Sequence, residues 1–340
     1  MQRRNGPITQ SRRGILAAGA GMIGSICLPR IARAQAKTKL TLAILFVARG
    51  DFAPYYLARE RGYYAESGID LTIKHVLGNA FAFQMLSAGN ADFAHADIVQ
   101  MLQLQGATPE PQMKSVAVVC NKIPLSLFYL SGRGIDKPRD LAGRSIVDSP
   151  GSTTPALIKL LARANGFNAA AIEWKSAAAN AKTALMLQGQ ADAVSTYLPA
   201  LPSTAARAPA GKQVEAFNFG DHGVDIYGDG LISTNSYLGQ KPEVAKAFVQ
   251  ATLRGYLEAF SDPPAAVAAI VKNAPELNPE NALKELEILR GLNAERYWPK
   301  RGFGAHNRAK MAATYSAVTD VVMQPISRPV ADFFSDDFLS

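Results

Sequence analysis

Four histidines and two cysteines carry the side chains best suited to metal binding or nucleophilic attack. His75, His95, His222 and His306 are too scattered for a metal-site spacing, so they read as structural or surface residues. Cys27 and Cys120 lie far apart, and only Cys120 falls in the body of the chain. Catalytic residues, a metal and a cofactor are therefore not expected. The remaining chemistry is recognition. Arg49 could pair with an anion, while Asn79, Asp97, Ser152 and Thr153 are side chains that cap helices and can equally accept or donate a hydrogen bond to a ligand. Asp225 and Asp229 read as turn residues.

These residues need elements to position them. Leu40–Phe46 reads as a first strand, Pro54 suits the opening turn of a helix continuing to Tyr64, and the alternation over Ile69–Val76 predicts a second strand. Asn79 can open a helix that closes at Gly89, and Ala91–Ala96 gives another strand, with Asp97 at the head of the next helix. Further on, Ser145–Asp148 is a strand and Pro150–Pro155 leads into a helix ending at Asn165-Gly166. Such alternation predicts α/β architecture. Gly89-Asn90-Ala91-Asp92 recurs in form as Gly189-Gln190-Ala191-Asp192, which is either a repeated unit or recurrent turn chemistry. The run Ala282–Leu289 reads as an amphipathic, solvated helix.

The chain has 340 residues, 48% of them hydrophobic, which is enough to bury two domains of ordinary size. Its formal charge of +8 is concentrated at the N-terminus: residues 1–36 hold six arginines and no acid, and the rest carries 30 basic and 28 acidic residues. A nearly neutral body argues against a nucleic-acid partner. Ser11-Arg12-Arg13-Gly14, an uncharged Gly/Ala-rich stretch to Leu28 and the small-residue site Ala34-Gln35-Ala36 form the order basic, apolar, cleavable. Residues 1–36 thus resemble a twin-arginine export signal, with cleavage expected after Ala36.

The segment from Ala53-Pro54-Tyr55-Tyr56-Leu57-Ala58 through Gly62-Tyr63-Tyr64 to Gly68-Ile69-Asp70-Leu71 resembles the opening of solute-binding proteins of ABC importers for thiamine pyrimidines, alkanesulfonates, taurine and nitrate. Ala88–Phe93, Pro138–Gly143, Gly189–Ala193 and Lys241-Pro242-Glu243-Val244 resemble later signatures of the same group, in the same order. The resemblance implies a two-lobed type II periplasmic binding protein fold, with mixed sheets flanked by helices and two hinge strands. Lobe 1 is expected to combine residues 37–130 with 228–340, and lobe 2 to span 131–227. The crossings are expected near Leu130-Ser131 and Ile226-Tyr227-Gly228.

In open α/β sheets the binding crevice lies outside the carboxyl ends of the strands. In the implied fold this assigns Arg49, Asp51, Phe52, Tyr55, Asn79, Ala80, Phe81 and Asp97 to one wall of a ligand cleft. Gly151, Ser152, Thr153 and Thr154 form the other, and Tyr197 and Tyr227 supply closing aromatic faces. The aromatics favour a planar ring such as a pyrimidine or an aromatic acid. Tyr197-Leu198-Pro199-Ala200, however, departs from the acidic residue that pyrimidine-binding relatives carry after this strand, so alkanesulfonate or taurine at helix N-termini stays open. The expected partners are a small ligand, a permease and its ATPase, with the protein monomeric and periplasmic. An exported enzyme related to pyrimidine synthases is the competing class, but those relatives carry a cysteine-rich segment that is absent here. A ligand sensor on the same fold is a third.

Overall fold

The computed structural model describes residues 37–106, 112–293, 302–321 and 328–340. The expected export signal at 1–36 lies outside the described residues. In chain order the strands are β1 (Thr38–Leu45), β2 (Ile69–Val76), β3 (Phe93–Asp97), β4 (Met113–Val118), β5 (Leu125–Leu130), β6 (Ser145–Asp148), β7 (Glu173–Ser176), β8 (Ala193–Tyr197), β9 (Val214–Asn218) and β10 (Asp229–Thr234). The helices are α1 (Ala53–Glu60), α2 (Tyr63–Glu66), α3 (Asn79–Ser87), α4 (Ile98–Gly106), α5 (Thr154–Asn165), α6 (Lys182–Leu187), α7 (Leu201–Ala205), α8 (Asn235–Gln240), α9 (Pro242–Ser261), α10 (Pro263–Asn273), α11 (Pro279–Asn293) and α12 (Arg308–Val321).

The strands form two five-stranded sheets of the same plan, β2-β1-β3-β10-β4 and β7-β6-β8-β5-β9. In each, three strands run parallel and a fourth, arriving from the other sheet, runs antiparallel beside the third. β1 sits inside its sheet and is buried along its second half, whereas β2 is an edge strand and alternates buried with exposed. Helices cover the faces, as a two-lobed α/β fold requires.

The sequence echo is structural. Gly89 and Gly189 both adopt left-handed backbone, with φ of 69° and 75°, which only glycine adopts without strain. Each lets its helix turn into the following strand. Asp92 then bonds the neighbouring strand twice, its amide to the Thr41 carbonyl at 2.9 Å and its carboxylate to the Thr41 amide at 2.7 Å. Asp192 does the same with Ser145, at 3.0 and 2.9 Å. The two aspartates lock equivalent strands together.

The first crossing differs from expectation. β5 pairs with β8 and β9, and the Ser131 amide continues that pairing to the Gln213 carbonyl at 2.9 Å. The passage between sheets is therefore residues 119–124, not Leu130-Ser131, because β5 finds its partners in the second sheet. The return strand lies alongside it: Ile123 N–H donates to the Ile226 carbonyl and Gly228 N–H to the Cys120 carbonyl.

Candidate functional site

The carboxyl ends of β1, β3, β6 and β8 meet the start of β10 in one polar and aromatic cluster. β1 is followed by Phe46, the one non-glycine among the described residues with positive φ, at 60°. Such backbone is costly for a bulky residue and is retained where the surroundings enforce it. It turns the chain into the loop that carries Arg49. The Arg49 guanidinium forks onto the Asp51 carboxylate at 2.9 and 2.6 Å and lies over the Phe46 and Phe52 rings. Burial alone would lower the Arg49 pKa, but Asp51 outweighs it, and the guanidinium is held above its ordinary value.

This loop is clamped from below by α11. The Gly50 amide donates to Glu285 Oε2 at 2.7 Å, and a Cβ added to Gly50 would stand 1.8 Å from the Ala282 carbonyl oxygen. Ser203, on α7 beside the second sheet, donates its hydroxyl to the other Glu285 oxygen. Glu285 is 1% exposed, and burial pushes its carboxyl up. The expectation of a solvated helix over Ala282–Leu289 is thus corrected: Ala282, Glu285, Leu286 and Leu289 form one buried stripe.

Beside the loop, the buried His95 joins Tyr55 to Asp229. Its Nδ1 is 2.8 Å from the Tyr55 hydroxyl, its Nε2 3.3 Å from Asp229 Oδ2, and its ring meets Phe52 edge-on. Asp229 Oδ1 is buried without a hydrogen-bond partner. Asp229 opens β10 directly opposite Asp97, the last residue of β3. Asp97 accepts from the Gln100 amide at 3.0 Å, and its own amide donates to Asn79 Oδ1 at 3.0 Å. Burial, then the neighbouring Asp229 charge, push the Asp97 carboxyl up to about 7.

The second sheet contributes Tyr197, the last residue of β8. Its hydroxyl donates to Asp97 Oδ2 and accepts from Asn79 Nδ2, both at 3.3 Å, and its ring meets Phe46 edge-on. A second contact across the cleft joins Gln100 Nε2 to the Gly151 carbonyl at 3.3 Å. At the end of β6, Asp148 accepts from Lys182 Nζ at 3.0 Å, and the same ammonium reaches Ser195 Oγ at 3.3 Å. Burial would raise the Asp148 carboxyl, but Lys182 and the adjacent hydroxyls prevail and hold it below the usual range. Among the described residues no group of three or more His, Cys, Asp or Glu side chains is arranged to hold a metal ion.

The model of the NMT1/THI5-like family matches residues 49–266, well over half of the chain and spanning most of this cluster. The chain belongs to the NMT1/THI5-like family. Relatives include the riboflavin-binding protein RibY of Chloroflexus aurantiacus, 24% identical over 240 residues, covering 70% of this chain and 67% of that protein. Another is a formylaminopyrimidine-binding protein of Halalkalibacterium halodurans, 27% identical over 230 residues, with 66% and 67% covered. The periplasmic aliphatic sulphonate binding protein of Escherichia coli superposes with a TM-score of 0.67 at 13% identity over 87% of this chain and 91% of that one, a likeness of fold.

In this family member, Arg49, Asp51, Phe52, Tyr55, Asn79, Asp97 and Tyr197 come together in one cluster. Gly151, Ser152, Thr153 and Thr154 form the facing loop, where Ser152 Oγ caps α5 through the Thr154 amide at 3.1 Å, and Thr153 does not cap. Ala80 and Phe81 follow Asn79 on the first turn of α3 and are exposed, Phe81 by 52%. One residue falls elsewhere. Tyr227 is buried against α12, its hydroxyl accepting from the Asn307 amide at 2.6 Å and its amide donating to Thr314 Oγ1. The helix α12 that covers it lies far downstream, so Tyr227 packs in the core instead of facing the cleft. The sequence carries no expectation for Phe46, Glu285, Asp148 or Lys182 as site residues; His95, which reads as structural or surface yet belongs to the His95-Ala96-Asp97 segment expected at the cleft, lies in the cluster, as does Asp229, expected in a turn. A signal existed for Glu285, which lies at i+3 from Ala282 within the apolar stripe.

Proposed function

We propose that this protein is the exported solute-binding component of an ABC importer. It closes two lobes over a small nitrogen heterocycle bearing hydrogen-bond donors, and it catalyses nothing. The observation that carries this reading is Asp229 Oδ1, a buried carboxylate oxygen without a donor, set beside Asp97 at the mouth of both sheets. Buried acceptors are normally paired, so the site calls for a donor from the ligand.

An anionic head group fits less well. Arg49 and Lys182 are each already neutralised by an aspartate. At the head of α5 the Thr154 amide is used by Ser152, and Pro155 has no amide hydrogen to offer. The named ligands of the two curated relatives, riboflavin and formylaminopyrimidine, are ring systems that carry donors, whereas likeness to sulphonate binders extends to the fold. Asp97 and Asp229 supply the acidic acceptors that the Tyr197-Leu198-Pro199-Ala200 segment lacks.

Closure across Tyr197–Asp97 and Gln100–Gly151 would present a shape that a permease can recognise. Export by Arg12-Arg13 completes the reading: replacing both with lysine is expected to block export, and N-terminal sequencing of the exported protein is expected to start at Lys37. A thermal-shift screen over aminopyrimidines, flavins, alkanesulfonates and taurine tests the ligand class. A ligand at 100 times its Kd stabilises by about 2.7 kcal/mol. Stabilisation by a sulfonate and by no heterocycle would contradict the proposal.

A further inference from the structure

The second lobe holds an unused acceptor of its own. Asp148 ends β6, and its side chain is 5% exposed. Oδ1 accepts from Lys182 Nζ at 3.0 Å and from the Ser149 amide at 2.7 Å, and Oδ2 is buried with no hydrogen-bond partner at normal geometry, although the Ser152 and Ser195 hydroxyls stand close enough to steady the carboxylate. The adjacent Ser149 hydroxyl is likewise buried and unpartnered. Lys182 ties Asp148 to Ser195, two residues before Tyr197 and on the same face of β8, so this group lies behind the tyrosine that reaches the first lobe. The loop that follows Asp148 makes the Gly151–Gln100 contact across the cleft.

Among the buried side-chain oxygens left without a partner in the described residues, Asp229 Oδ1, Asp148 Oδ2 and Ser149 Oγ stand at the cleft ends of the two sheets, whereas the Tyr237 hydroxyl lies at the opposite end of β10. A desolvated carboxylate oxygen without a donor is unfavourable in a purely structural ion pair. We infer that Asp148, paired with Lys182, is a specificity-determining residue that accepts a hydrogen bond from a second donor on the ligand, remote from the donor read by Asp229. This inference rests on the functional reading above and narrows it. The ligand must offer two donors at separate positions on its ring, and a ring with one donor binds weakly.

The probe is an aminopyrimidine carrying both an amino and a hydroxymethyl group, used beside two derivatives, one with the amine dimethylated and one with the hydroxyl converted to its methyl ether, so that each lacks one donor. Calorimetry is run on wild type, Asp148→Asn and Asp229→Asn. Asp148→Asn is expected to weaken the two-donor probe at least tenfold and to leave unchanged the affinity for whichever blocked derivative lacks the donor Asp148 reads. Asp229→Asn is expected to show the same insensitivity for the other derivative. If Asp148→Asn does not fold, the derivatives on wild type still decide: each blocked donor is expected to cost at least tenfold, and loss from one alone overturns the inference. Wild type that binds the probe while Asp148→Asn binds it within twofold overturns the inference and leaves the functional reading standing. Wild type that binds neither the probe nor its derivatives overturns both.

Discussion

The two walls of the cleft share a strand plan and differ in charge logic. Asp97 and Tyr197 hold equivalent places, each five residues after the aspartate of the repeated Gly-x-Ala-Asp unit and each closing the third strand of its sheet. They meet across the cleft at 3.3 Å. On the first wall burial, and then the facing carboxylate of Asp229, push Asp97 up to about 7. On the second wall burial pushes Asp148 the same way, but Lys182 and the adjacent hydroxyls overcome it and hold the carboxyl below its ordinary range. Both acids are buried, and the neighbour either adds to the upward push or reverses it.

The walls also differ in how they are supported. Gly50 is pressed on α11, where a Cβ has no room, whereas Gly151 adopts φ of 74° and a Cβ added there would meet nothing within 4 Å. Gly50→Ala is expected to destabilise by about 3 kcal/mol or more through backbone displacement. Gly151→Ala should cost only about 1 kcal/mol of left-handed strain. Denaturant melts of both variants would show the ordering, and equal costs would break the contrast.

The acids predict opposite responses to pH. Asp97 is raised on folding, so the folded protein holds a proton that the unfolded chain releases near 4. Its stabilising contribution is full below about 4 and is lost as pH rises towards 7. Unfolding free energy is expected to fall by a few kcal/mol over that interval, and Asp97→Asn should flatten the slope. Asp148 is lowered, so its contribution is present above the ordinary aspartate range and disappears only in stronger acid. Denaturation curves at pH 2.5, 4, 5.5 and 7 read both signs, Asp148 below pH 4 and Asp97 above it; a slope above pH 4 unchanged in Asp97→Asn would move the titrating group elsewhere.

A smaller effect is expected at the contact between the walls. Tyr197→Phe removes the hydroxyl that bonds Asp97 and Asn79 while keeping the ring on Phe46, and ligand affinity should fall by about 0.5 to 1.5 kcal/mol. Calorimetry on the variant, with a melt of its ligand-free form, separates this from a folding defect.

Local signals made much of this legible. Periodicity and caps gave the early strands and helices, and the repeated Gly-x-Ala-Asp pointed to the duplicated unit that both sheets contain. Partner choice was less legible: β5 is apolar almost throughout and would suit either sheet, so its place beside β8 and β9 depends on pairing with residues far along the chain, such as Tyr129 with Ala193. Asp229 became a site residue for the same reason, through antiparallel pairing that sets it opposite Asp97. Phe46 carries no sequence mark of its left-handed backbone. Tyr227, an aromatic near a crossing, was covered by a helix some eighty residues downstream.

If the buried carboxylates serve a donor-bearing ring, calorimetry of wild type and Asp229→Asn with formylaminopyrimidine and with a simple alkanesulfonate, at one pH and ionic strength, will separate the two ligand classes. Wild type is expected to bind the heterocycle and not the sulfonate, and Asp229→Asn to lose about 1.5 to 3 kcal/mol of heterocycle affinity, as for a hydrogen bond to a charged group. Sulfonate binding to wild type that Asp229→Asn leaves equal or tightens, with no heterocycle bound, would contradict that role.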